Sequence, residues 1–237
     1  PMSVDEAFNQ SQSVADRDWY QRAIYYRDAR LLPQALECAT KSGDENLRQE
    51  IEVESLLLDR KYPEVAQLLL AVNKYSAAAQ MFEQIEAWQQ AAEAWDLAGD
   101  FPRKSECQIK YLLKNGEQHQ AVRVLVQIEK YAEAAEILED LAQWQEAAQF
   151  WRQAGEQVRS VECEVQDLKN QDRLEDAANK LIEIERYREA VEILEAGQYW
   201  DKAAEIWGKL GNEDDRDRCL FQSLIADWRA KKSKLEQ

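Results

Sequence analysis

The 237-residue sequence carries 30 basic and 46 acidic side chains, and its formal net charge of −16 disfavours nucleic acid as a direct partner because phosphate backbones are repelled. It contains no apolar run of about 18 residues and shows no basic-then-apolar signal peptide, so it predicts neither a membrane span nor a secretory signal. Hydrophobic residues make up 45% of the chain, which is enough to bury a core.

The N-terminal segment differs from the rest of the sequence. Residues 1–18 are polar and match the repeat poorly, which predicts a linker or a partial cap ahead of a single repeat domain over 19–237. Pro1 precedes Met2, an order that a natural start would not give, so we interpret Pro1 as a cloning remnant. We expect the chain to be an excised arm of a larger protein.

From residue 19 onward the sequence repeats itself every 56 residues. Glycine marks this period most clearly, and tyrosine, tryptophan and cysteine share it. The repeated positions are Gly43, Gly99, Gly155 and Gly211; Tyr75, Tyr131 and Tyr187; Trp88, Trp144 and Trp200; Trp95, Trp151 and Trp207; and Cys107, Cys163 and Cys219. A fixed period of this size indicates one supersecondary unit copied in tandem. The repeats are therefore 19–74, 75–130, 131–186 and a truncated 187–237.

Each repeat is predicted to contain four short helices, which the third repeat shows most clearly. Apolar residues at helical spacing begin at Tyr131 for the first helix and at Trp144 for the second, and Gly155 supplies the left-handed residue that ends the second. The third and fourth helices follow from about Val158 and from Leu174. Three prolines fall at predicted helix starts, where a missing N–H does no harm: Pro33, Pro63 and Pro102. The sequence thus predicts an all-α fold, an α-solenoid of tandem helical hairpins with about fifteen short helices.

The last repeat departs from this pattern. Its third helix, from about Asp215, is expected to run on through Trp228 as a long polar cap. The position of a fourth helix holds the basic segment 231–234, which has little apolar face.

Small and large side chains alternate in a way that predicts close helix packing. Adjacent alanines lie one turn into several helices: Ala91-Ala92, Ala134-Ala135, Ala147-Ala148, Ala177-Ala178 and Ala203-Ala204. They let a neighbouring helix approach, while tryptophan, tyrosine and leucine fill the spaces beside them. The tryptophans share this helical spacing, so we interpret them as core rather than as a stacking surface for bases.

The sequence offers few residues for catalysis. The four cysteines are interpreted as small buried residues of a reduced, cytoplasmic protein: Cys38, Cys107, Cys163 and Cys219. His119 is the only histidine, and no glycine-rich phosphate loop is present. We therefore predict no enzyme, no catalytic residue, no cofactor and no metal site.

Two rows of acidic residues recur on the predicted first helices. One consists of Glu83, Glu139 and Glu195, and the other of Glu136 and Glu192. Two interpretations stay open. The rows form a site for a basic or extended peptide, or they are simply a solvated face.

The motif Tyr-x-x-Ala-Ala-x-x-Leu at 131–138, followed by Trp-x-x-Ala-Ala-x-x-Trp at 144–151, resembles the tetratricopeptide-like α-solenoid superfamily. It is especially similar to the degenerate helical repeats that follow β-propellers in coat and transport-train proteins. The resemblance covers 19–230, although the hairpins average 28 residues rather than about 34. It implies that the first helix of each hairpin lines a concave side, which would place the acidic rows in a groove.

The resemblance also implies a class of function. We expect a protein-interaction scaffold, the solenoid arm of a multidomain protein, that presents a curved surface to a protein or basic peptide. One alternative is a regulatory sensor arm of an effector such as an NTPase or a protease. A second is a coat-like structural element that self-associates.

Overall fold

The computed structural model of the chain describes Val4 and residues 18–235, with side chains described up to Lys232. The segment 18–235 is all-α and contains no strand. Its fifteen helices are α1 (Trp19–Asp28), α2 (Leu32–Ser42), α3 (Glu45–Leu58), α4 (Tyr62–Ala71), α5 (Tyr75–Gln84), α6 (Trp88–Ala98), α7 (Phe101–Lys114), α8 (Gln118–Gln127), α9 (Tyr131–Asp140), α10 (Trp144–Gln153), α11 (Gln157–Asn170), α12 (Leu174–Glu183), α13 (Tyr187–Ala196), α14 (Trp200–Lys209) and α15 (Glu213–Leu235). The predicted helix number and the predicted fold class are confirmed.

The predicted linker or cap at residues 1–18 lies outside the described residues, apart from Val4 and Asp18. Asp18 begins the described array by capping α1, because its carboxylate accepts a hydrogen bond from the Gln21 backbone N–H at 3.2 Å. Such a cap satisfies one of the otherwise unpaired donors in the first helical turn.

Each of the fourteen turns between these helices contains one residue in the left-handed conformation. These residues occupy four positions of the 56-residue repeat: Arg30, Glu86, Ala142 and Gln198; Gly43, Gly99, Gly155 and Gly211; Arg60, Gly116 and Asp172; and Asn73, Glu129 and Glu185. In twelve of these turns the backbone N–H of the residue after the left-handed one donates to a carbonyl of the preceding helix, as Gln143 N does to Leu138 O at 2.8 Å. This bond satisfies a carbonyl that the helix end would otherwise leave unpaired. The 56-residue spacing of glycine therefore predicted one of the four left-handed turn positions in the repeat.

The described helices fall into two compact units that divide between Gly116 and Glu117. The N-terminal unit contains α1 to α7 and the C-terminal unit contains α8 to α15. Within each unit the strongest contacts join helices that follow one another in the sequence. This tandem packing is typical of an α-solenoid.

The core confirms the predicted use of small and large residues. Ala134, Ala135, Ala147 and Ala148 are at most 2% exposed, and the buried Trp151 is only 3% exposed. Short helices of about ten residues are marginal alone in water, so this packing is what stabilises them. The three prolines also lie in first helical turns, as predicted.

In the last repeat the chain continues as one helix through the position at which the earlier repeats turn toward a fourth helix, as predicted. Trp228 occupies the repeat position of Arg60, Gly116 and Asp172, which are left-handed turn residues in the earlier repeats. A bulky aromatic residue disfavours that conformation. The chain continues instead as α15, a helix of 23 residues. The expectation of a polar cap was wrong for one face of α15, because Phe221 and Trp228 are each 62% exposed there.

Candidate functional site

Three of the five acidic residues predicted to bind a partner hold helices together. Glu139 on α9 accepts a hydrogen bond from the indole N–H of Trp151 on α10, with Nε1 and Oε1 2.5 Å apart. The same bond joins Trp95 to Glu83 at 2.6 Å and Trp207 to Glu195 at 2.9 Å. A buried indole N–H needs an acceptor, and these carboxylates provide it at the same repeat position.

The same carboxylates also accept hydrogen bonds from the repeated cysteines. The Sγ–Oε1 distances are 3.3 Å for Cys107 and Glu83, 3.1 Å for Cys163 and Glu139, and 3.3 Å for Cys219 and Glu195. Each carboxylate therefore joins the first, second and third helices of its repeat. We call each such set a Glu–Trp–Cys cluster.

The thiols of these clusters are poor nucleophiles. Burial, followed by the hydrogen bond to the neighbouring carboxylate, raises the pKa of Cys107 and of Cys163 to about 12. The same two causes raise the pKa of Cys219 to about 11. Since the thiolate is the reactive form, these cysteines stay protonated and inert near neutral pH. The prediction that the four cysteines are buried is confirmed, and all four are free.

A cation covers the tryptophan face in two of the clusters. Arg103 lies 4.6 Å from the ring centroid of Trp95, and Arg159 lies 4.7 Å from that of Trp151. The fourth repeat has Asp215 at this position. In that repeat the cation contacts the carboxylate of the cluster instead, because Glu195 accepts a hydrogen bond from Arg218 at 2.8 Å.

The Glu195 carboxyl shows the balance of these contacts. Burial raises its pKa, but hydrogen bonds from Arg218, Trp207 and Cys219 outweigh that effect and hold the pKa below its ordinary value. Glu195 is therefore an ionised, hydrogen-bonded residue whose side chain is only 22% exposed. Its negative charge is already balanced within the chain.

The remaining two predicted acids face solvent. Glu136 on α9 is exposed and has Arg159 Nη1 at 3.9 Å from its carboxylate. Glu192 on α13 is exposed at the equivalent position one repeat later. Both lie in the C-terminal unit. The structure thus separates the five acids into three that join helices and two that an incoming cation can reach.

A shallow depression lies beside the cluster of the third repeat. It has a volume of about 300 Å³ and is lined by Glu139, Trp144, Arg159, Glu162, Cys163 and Gln166. The Trp144 indole nitrogen is shielded from solvent and has no hydrogen-bond partner. The lining mixes both charge signs and contains no activated nucleophile. Among the described residues there is no group of three or more histidine, cysteine or acidic side chains arranged to hold a metal ion.

His119 lies where the sequence predicted it, in the first turn of α8. Its side chain is exposed, and its Nε2 is 3.1 Å from the side-chain nitrogen Nε2 of Gln143. Within 18–235, none of the helices is both long enough and apolar enough to cross a membrane.

The sequence analysis missed the Glu–Trp–Cys connection, although a signal for it was present. In the first repeat the three equivalent positions hold Arg27, Ala39 and Ile51, so all three members are replaced together. Arg27 turns to α3 instead, where its Nε donates to Glu54 at 2.9 Å and its Nη1 donates to Glu50 at 3.1 Å. The tryptophan and cysteine positions follow the glutamate position by 12 and 24 residues. Because all three residues are replaced together in the first repeat, the sequence indicates that the three positions are in contact.

Comparison with known proteins assigns this chain to no family. No protein-family model matches this chain, and no curated protein matches it.

Proposed function

We propose that this chain is a protein-interaction scaffold of the tetratricopeptide-like kind, an arm of a larger cytoplasmic protein that binds a protein or a basic peptide without making or breaking bonds. The observation that carries the proposal is the division among the acidic residues. Glu83, Glu139 and Glu195 hold helices together, whereas Glu136 and Glu192 stay exposed at one repeat position.

This division supports a scaffold for a physical reason. The clusters join three helices within each of the last three repeats and so hold the first helices that carry Glu136 and Glu192 in place. Binding to a preorganised surface loses less free energy to ordering than binding to a mobile one. A catalytic alternative has no comparable support. The cluster thiols are unreactive, and the described residues contain no group arranged to hold a metal ion.

The proposal is tested at Glu136 and Glu192, because charge reversal at Glu139 or Glu195 would also break a cluster. The probe is a fluorescein-labelled peptide of alternating lysine and glycine, and the readout is anisotropy at low salt. We expect the double variant Glu136→Lys, Glu192→Lys to bind roughly fivefold more weakly, since exposed ion pairs contribute about 0.2–1 kcal/mol each.

The matched control is the double variant Glu129→Lys, Glu185→Lys. These residues are also exposed, also one repeat apart, and produce the same change in net charge. The control should bind nearly as well as the parent chain. Equal loss in both double variants would mean that net charge alone attracts the peptide, and the proposed acidic surface would be rejected.

A further inference from the structure

The C-terminal helix α15 exposes a stripe of large apolar side chains. Leu220, Phe221, Leu224 and Trp228 are 43%, 62%, 67% and 62% exposed. They follow each other at helical spacing, so they share one face. Lys232 lies 5.6 Å from the Trp228 ring centroid, at the end of the stripe. We call these four residues the α15 stripe.

The internal repeat shows what covers the equivalent residues elsewhere. Phe221 and Leu224 correspond to Val53 and Leu56 in the first repeat. There Val53 and Leu56 pack against a cluster that contains Val65 and Leu69 of the fourth helix, α4.

The third repeat gives a second example of the same interface. Val165 and Leu168 hold the positions of Phe221 and Leu224, and they pack in one cluster with Ala177, Ala178 and Leu181 of the fourth helix, α12. Val165 is 8% exposed in this arrangement. The surface that a fourth helix covers in the first and third repeats is therefore exposed on α15 among the described residues.

Leu220 extends this comparison. Its equivalent in the third repeat is Glu164, which pairs with Lys180 of the fourth helix at 3.2 Å. In the last repeat a leucine replaces the charged residue that reaches the fourth helix. The replacement makes the α15 stripe more apolar than the internal interfaces.

We infer that the α15 stripe is a docking site for a helix from a protein partner, and that this helix has the pattern of the chain's own fourth helices. That pattern is two adjacent small residues followed three positions later by leucine, as in Val65-Ala66 with Leu69, Ala121-Val122 with Leu125, and Ala177-Ala178 with Leu181. In the third repeat the two small residues and the leucine of this pattern, Ala177, Ala178 and Leu181, all belong to the cluster that contains Val165 and against which Leu168 packs. A second copy of α15 is not the proposed occupant, because its sequence lacks this pattern. This inference rests on the proposed scaffold function and specifies one partner for it.

The probe is a fluorescein-labelled, end-capped peptide with the sequence of residues 171–186, which contains α12. It is titrated with the full chain, and binding is followed by anisotropy. We expect saturable binding that Leu224→Glu weakens by about tenfold or more, equivalent to about 1.4 kcal/mol. A peptide carrying leucine at both Ala177 and Ala178 should not bind.

The matched protein control is Val158→Glu, which places the same charge on an exposed apolar residue of α11 in the same compact unit. It should leave peptide binding unchanged. Absence of binding to a folded chain, or binding that Leu224→Glu does not weaken, overturns the inference. So does a dimer in sedimentation that Leu224→Glu dissociates, because α15 of a second copy would then be the occupant. Retained binding of the lysine–glycine peptide in any of these cases leaves the proposed function standing.

Discussion

The first repeat and the third repeat build the same three-helix junction in different ways. In the third repeat Glu139 accepts hydrogen bonds from Trp151 and Cys163, which joins α9, α10 and α11. In the first repeat Arg27 donates to Glu50 and Glu54 on α3. The positions of the tryptophan and the cysteine there hold the fully buried Ala39 and Ile51.

This difference indicates that the residue types at the three positions depend on one another. A buried indole N–H without an acceptor costs free energy, so a tryptophan at the second position favours a carboxylate at the first. Once alanine replaces the tryptophan, the carboxylate has no donor to satisfy, and an arginine can pair with acids on the third helix. The four predictions below test this comparison, in order of decreasing effect.

The largest effect is expected from Trp151→Ala. Removing this 3% exposed side chain leaves a cavity and takes the indole donor away from the Glu139 carboxylate. We expect the free energy of unfolding to fall by about 3–5 kcal/mol in urea denaturation. Trp228→Ala is the control, since its side chain is 62% exposed, and it should change stability by about 0.5 kcal/mol or less. Similar losses in the two variants would contradict the assigned core.

A smaller effect is expected from Glu139→Arg alone, which leaves the Trp151 N–H without an acceptor and should cost about 1–3 kcal/mol. The triple variant Glu139→Arg, Trp151→Ala, Cys163→Ile copies the first repeat, and Glu162 already stands where Glu50 does. Its loss should be about 0.5–3 kcal/mol smaller than the sum of the three single losses. Strict additivity would show that the positions are independent. Glu136→Arg serves as the exposed control.

A modest gain is expected from Ala142→Gly in the turn between α9 and α10. Ala142 has a φ of 56°, and the left-handed region is unfavourable for a residue with a Cβ atom. Glycine there should stabilise the chain by about 0.5–1 kcal/mol after its larger unfolded-state entropy is subtracted. The same change at Ala226, exposed within α15, should destabilise it by about 1 kcal/mol. Thermal unfolding of both variants gives the comparison.

The smallest effect is a pH dependence specific to the fourth repeat. Because the folded-state pKa of Glu195 lies below its ordinary value of 4.5, its contribution is fully present above that pH and is lost as the pH falls through the folded-state pKa. Removing one of its donors with Arg218→Gln should reduce the loss of stability between about pH 7 and about pH 3. An unchanged pH profile in urea denaturation would mean that Arg218 does not influence the Glu195 carboxyl.

The sequence alone identified much of the fold. The 56-residue period located the repeats, and apolar spacing located the helices. Proline and one row of glycines then located several helix ends. These signals are local, because helix periodicity and turn chemistry depend on residues close together in the chain. The long last helix followed from the same reasoning, although its apolar face at Phe221 and Leu224 was mistaken for a polar one.

The candidate site depended on contacts that local patterns do not contain. Glu139 and Glu136 are three residues apart on one helix and looked equivalent in the sequence, yet one accepts bonds from two other helices and the other faces solvent. The sequence by itself determined which helices form and that they recur. Only the tertiary structure decided which acids join helices, which acids stay exposed and which apolar residues stay exposed, because burial and hydrogen bonding depend on which helices come together in space.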